Sequence, residues 1–80
     1  MNEPRLLDTV ICTEDFPQAQ VLTGDLGAIV EIYTQPHLAY EVEFVNPDGT
    51  TRALLALEPN QVRRLSTRDV ITTRSLAVAA

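Results

Sequence analysis

Residues 40–49 read YEVEFVNPDG, and this stretch decides the fold. Tyr40, Val42 and Phe44 alternate with Glu41 and Glu43. Successive side chains on a strand point to opposite faces, so the segment reads as a strand with one apolar and one acidic face. Asn46-Pro47-Asp48-Gly49 then signals a turn. Pro47 presets φ for the first corner of a type I turn, Asp48 suits the second, and Gly49 takes the left-handed position after it. A second apolar run, ALLAL at 53–57, follows at once. The expected unit is a strand, a tight turn and a return strand. The register adopted places Ala53, Leu55 and Leu57 inside. It leaves Leu54 outside, beside Glu41 and Glu43, on a face shared with Arg52 and Ala56. A slip of one residue would exchange these faces.

Working outward, residues 28–34, AIVEIYT, read as another strand. Alternation puts Ala28, Val30 and Ile32 on one face and Ile29, Glu31 and Tyr33 on the other. Gly24 and Gly27 before it mark a tight turn feeding that strand. They do not mark a phosphate loop, because there is no Gly-x-Gly-x-x-Gly, no lysine and no helical pattern behind them. Residues 6–13, LLDTVICT, read as the first strand, with Val10 and Cys12 inward and Asp8 at its start, able to bond backbone N–H groups. Residues 14–23 form a loop anchored by Phe16 and Pro17. Residues 35–38 connect two strands, residues 58–61 make a turn with room for one 3₁₀ turn, and residues 62–65 form a short last strand. Five short strands with Gly/Pro turns and no helical stretch imply an all-β fold, a small, strongly bent five-stranded barrel. Closure is expected because a flat sheet would leave its apolar face and both edges open. The barrel spans residues 6–65. Residues 66–80 form a variable C-terminal tail whose apolar residues, Val70, Ile71 and 76–80, fit neither period. An extra strand, a tail packed on a partner or on a second copy in a homodimer, and a disordered tail all suit it.

Eighty residues make one domain, and 45% apolar content is enough for a core. Eleven acidic residues face six arginines, with no lysine, for a net charge of -5. Such a body repels phosphate backbones, and Arg63, Arg64 and Arg68 form its only dense basic spot. The single cysteine, Cys12, allows no internal disulfide, and the opening MNEPRLLD lacks a basic segment followed by an apolar core. A reducing, cytoplasmic location without a signal peptide is the expectation. Apolar runs of about five residues fall far short of the ~20 needed to span a bilayer, so no membrane role is expected. His37 is the only histidine and stands at no metal-ligand spacing. Cys12 is followed by Thr13, Glu14 and Asp15, not an electropositive setting for a nucleophile. No catalytic, cofactor-binding or metal-binding residue is assigned, and an enzyme is not expected.

The segments LLDTVICTED, GDLGAIVEIY, YEVEFVNPDG, ALLAL and QVRRL, in that order, resemble a family of small bacterial proteins, domain of unknown function 4926. The resemblance covers residues 6–65. Its marks are Asp8 and Val10, Gly24-Asp25 with Gly27, Val42-Glu43-Phe44, and Asp48-Gly49. It implies an SH3-like barrel and no known activity. GDLGAIVEIY is also similar to the strand–glycine–strand unit of KOW domains, which implies nucleic-acid binding as the alternative function. KOW domains carry basic residues around the glycine, whereas this chain has Asp25 and Glu31 there.

The outward residues suggest a different use. Glu31, Glu41 and Glu43 lie on the outer faces of strands expected to be neighbours, and like charges so placed cost stability. With Tyr33 as an aromatic anchor and Leu54 exposed, they form a candidate acidic face for another, basic protein. The expected function is a protein-interaction module or an accessory, antitoxin-like partner.

Overall fold

Tyr40, Val42 and Phe44 are buried together at the centre of the molecule, and the sheet is assembled around them. The computed structural model describes residues 3–76. Its five strands are β1 (Thr9–Cys12), β2 (Leu26–Tyr33), β3 (Ala39–Val45), β4 (Thr51–Leu57) and β5 (Val62–Arg64), with 3₁₀ turns at Pro17–Ala19 and Pro59–Gln61. They form one antiparallel sheet in the order β4-β3-β2-β1-β5.

The central hairpin has the expected register. Tyr40 pairs with Leu57, Val42 with Leu55 and Phe44 with Ala53. The Gly49 N–H donates to the Asn46 carbonyl at 2.9 Å, and the Asn46 N–H donates to the Thr50 carbonyl at 2.7 Å. Gly49 has φ +91°, which a residue with a Cβ adopts only at a cost. Beyond the turn the pairing jumps, from Phe44 opposite Ala53 to Val45 opposite Thr51. Arg52 is the surplus residue of this bulge. It leaves the face it was expected to share with Leu54 and Ala56, and its guanidinium donates to the backbone carbonyls of Val45 and Gln20.

A second bulge corrects the reading of β2. Ile29 pairs with Val42, but Glu31, not Val30, pairs with Glu41. The extra residue resets the alternation. Ile29, expected outside with Glu31 and Tyr33, is fully buried, and Ile32 packs against the same core. Glu31 and Tyr33 remain exposed. The bend has a structural use, because Leu26, Gly27 and Ala28 pair with β1 while the strand from Ala28 to Tyr33 pairs with β3.

The expected closure into a barrel is not made. The edges are β4 and β5, which do not pair with each other. A three-residue β5 offers little ladder to close with. The open side is filled by the loop between β1 and β2 instead: Val21 is fully buried in the core, and Phe16 and Ala19 pack on it. The apolar surface that would have required closure is thus covered by side chains of an irregular segment. Among residues 66–76 no strand is formed, so the extra strand considered for the tail is absent there. Residues 77–80 lie outside the described region. No helix among the described residues is long and apolar enough to cross a membrane.

Gly27 is where the sheet tolerates no side chain. A Cβ there would lie 2.6 Å from Val42 Cγ1, 2.9 Å from Phe44 Cε1 and 3.0 Å from the Glu43 carbonyl oxygen. Gly27→Ala is therefore expected to destabilise the protein by about 1–3 kcal/mol through overpacking. Urea unfolding monitored by circular dichroism checks this, and an unchanged midpoint would contradict the close approach.

Candidate functional site

Two bulged strands and the straight β3 between them bring the candidate face together. Glu31 and Glu41 are cross-strand partners, and Glu43 sits opposite Leu54. The Tyr33 hydroxyl donates to Glu41 Oε1 at 3.0 Å. That bond, followed by partial burial and the charges of Glu41 and Glu31, pushes the Tyr33 phenol above its usual range. The Thr51 hydroxyl donates to Glu43 Oε2 at 2.5 Å. Tyr33 is 41% and Leu54 54% exposed. All five residues singled out in the sequence, Glu31, Tyr33, Glu41, Glu43 and Leu54, thus lie on one outer surface. Val45 joins them: it is 48% exposed, and its parity along β3 is that of Glu41 and Glu43. The turn signal after it drew attention away from it in the sequence.

Arg63 and Arg64 are engaged elsewhere. Arg63 donates to both carboxylate oxygens of Asp69, at 3.1 and 2.8 Å. Arg64 Nε lies 3.1 Å from Asp8 Oδ2, and Asp8 also accepts the Arg5 N–H. Arg68 is exposed. Two members of the expected basic spot therefore have carboxylate partners.

The groups with potential chemistry are scattered. His37 lies in an exposed connection with Nε2 3.4 Å from Glu58 Oε2, both side chains more than half exposed. The Cys12 thiol is buried and donates to the Glu14 carbonyl at 3.0 Å. Burial pushes it up, against the lowering effect of that bond, and the carboxylates of Asp25, Glu14 and Asp15 push the same way. Among the described residues no group of three or more His, Cys, Asp and Glu side chains is placed to hold a metal ion.

The densest polar arrangement was not read from the sequence. Asp25 accepts the Leu22 N–H at 3.0 Å, lies 3.4 Å from Arg52 Nη2, and is paired by Arg74. Burial would raise its carboxyl, but the bonds from Arg74 and Leu22 and the two guanidinium charges outweigh it and hold the group below the usual carboxylate value. The available sequence signals were an acidic residue between two turn glycines and a single arginine beyond Asp69. Neither names its partner across 49 positions.

The sequence profile of a known family, Domain of unknown function (DUF4926), matches residues 6–64, the segment holding every strand. The chain belongs to this family. Comparison with curated proteins and with solved structures gives no match. DUF4926 therefore contributes membership without an assigned activity, and the surface geometry carries the functional argument.

Two outcomes follow for titration. Asp15, Asp25, Asp48 and Asp69 are all held below 3.8, by the Thr23 N–H for Asp15, by the Arg74 and Leu22 bonds that overcome burial for Asp25, by Thr50 for Asp48 and by Arg63 for Asp69. A carboxyl lowered in the fold stabilises it above the unfolded value and loses that contribution as pH falls through the folded value. Urea midpoints are expected to hold from neutral pH to about 5 and to fall progressively below about 4. Midpoints that rise on acidification would contradict these pairings. The raised, buried Cys12 thiol is expected to react with a thiol-specific chromogenic reagent at least roughly tenfold more slowly in the folded protein than in urea.

Proposed function

We propose that this protein is a non-enzymatic interaction module, an opened SH3-like barrel that binds a basic protein through the outer face of β2, β3 and β4. The strand order and the bend in β2 support the barrel relationship. One observation carries the functional reading: exposed Tyr33 and Leu54 stand among Glu31, Glu41 and Glu43 on a single surface. Carboxylates on adjacent strands repel one another, so their juxtaposition costs stability that a cationic partner would return. The Tyr33–Glu41 bond holds an aromatic ring in place, and a rigid, amphipathic side chain suits the centre of an interface. An accessory subunit, or an antitoxin-like protein that neutralises a basic enzyme, is the concrete form of this role. A cytoplasmic setting suits its lone, unpaired thiol.

Nucleic-acid binding in the manner of KOW domains is the second reading, and the arginine pairing weighs against it. Arg63 and Arg64 already face Asp69 and Asp8, so releasing them for phosphate would break existing bonds. A salt-dependent mobility shift with RNA would favour that reading over the acidic face.

The test is a pull-down with the full chain as bait, comparing wild type with the Glu41→Gln, Glu43→Gln double variant. Loss of roughly tenfold or more of a captured basic protein is expected, with wild-type capture weakening as salt rises. Capture that the double variant leaves intact would refute the face.

A further inference from the structure

Residues 66–76 fold back over one end of the sheet and finish in a clasp. Arg74 meets Asp25 side-on: Nε donates to Oδ1 at 2.8 Å and Nη2 to Oδ2 at 2.5 Å. The same Nη2 donates to the Gln20 carbonyl at 3.1 Å. The receiving groups are built by the body of the protein. The Asp25 side chain is 11% exposed and is fixed by the Leu22 N–H. The Gln20 carbonyl belongs to a residue with φ 58°, in left-handed conformation at the end of the first 3₁₀ turn, and also accepts from Arg52 Nε at 3.0 Å. Asp15 adds negative charge nearby. A carboxylate and a carbonyl set at this spacing suit a planar guanidinium, whose donors are fixed in a fork, better than a compact ammonium.

The segment carrying Arg74 is held loosely by comparison. The turn before it is locked, since Asp69 binds Arg63 through two bonds and accepts the Ser66 N–H. From residue 70 onward, among the described residues, no backbone–backbone hydrogen bond joins the segment to the sheet. Val70 is 86% and Ile71 64% exposed. Beneath the segment runs a groove that includes Ile11, Leu26 and Leu65. Gln20, Leu22, Asp25 and Arg52 all lie inside the span that matches the family, and Arg74 lies outside it.

We propose that Gln20, Asp25 and Arg52 form a socket that recognises an arginine on an extended segment of a partner protein, and that Arg74 fills it from within the same chain as a displaceable strap. The net charge of -5 favours such a cationic segment. Apolar residues flanking the partner's arginine would take the places of Val70 and Ile71 against the groove. The socket adjoins the outer face at Val45 but includes none of Glu31, Tyr33, Glu41, Glu43 and Leu54, so substitutions at Asp25 and Arg74 test this proposal independently of the one above.

The test uses full-length Arg74→Ala and, as probe, a labelled synthetic peptide of residues 70–76, Val-Ile-Thr-Thr-Arg-Ser-Leu, read by fluorescence anisotropy. The variant is expected to bind the peptide at least roughly tenfold more tightly than wild type, whose own arginine competes. A peptide with lysine in place of its arginine is expected to bind at least roughly tenfold more weakly, and adding Asp25→Asn to the variant should abolish binding. Equal binding of the lysine peptide, or no binding by folded Arg74→Ala, overturns the proposal. If that variant fails to fold, wild type is titrated with excess peptide and the Leu22 and Asp25 amide resonances are followed; no shift at about millimolar peptide overturns it too. A wild type that dimerises with concentration, and loses this in Arg74→Ala, would assign the socket to a second copy's tail and overturn the partner reading.

Discussion

Phe44 lies against the bare backbone of Gly27, and the rest of the sheet depends on that contact. The absent side chain lets β3 approach β2 closely enough for Phe44, Val42 and Ile29 to be sealed from water. Burial of large apolar side chains is the main favourable contribution to folding, and a domain this small has few of them. Cys12, Val21, Leu57 and Val62 extend the same cluster from four other parts of the chain. Strands as short as β1 and β5 gain their stability from this shared core more than from their own ladders.

Two groups of charges stand out. Asp8, Asp25 and Asp69 are matched with Arg64, with Arg52 and Arg74, and with Arg63, so four of the six arginines serve contacts within the chain. Glu31, Glu41 and Glu43 face outward, where the Tyr33 hydroxyl donates to Glu41 and the Thr51 hydroxyl to Glu43. Three carboxylates thus share one outer surface, where their mutual repulsion is set by ionic strength.

What was legible in the sequence follows from which interactions are local. The β3–β4 hairpin could be read residue by residue, because alternation and the Asn46–Gly49 turn are both short-range signals. The five residues of the outer face were legible for the same reason. The bulges at Val30 and Arg52 were not, because one surplus residue has no signature when Val, Ile and Ala fill both faces. Ile29 was assigned to the wrong side on that account. Closure was expected from the need to cover apolar surface. That need is real, but Phe16, Ala19 and Val21 meet it from a loop in which only Phe16 and Pro17 stood out in the sequence as an anchor. The Asp25–Arg74 clasp depends on how the tail turns at Ser66 and Asp69, a matter of three-dimensional path that no spacing rule conveys.

The surplus residue in β2 also constrains how this chain can vary over time. Exchanging one side chain for another along that strand leaves the inside and outside populations where they are. Deleting Val30 alone would restore strict alternation with Ile29 still inward and Glu31 and Tyr33 still outward, whereas deleting a residue elsewhere in the strand would move its neighbours out of register with β3. The exposed connection around Pro36 and His37 can lengthen at small entropic cost.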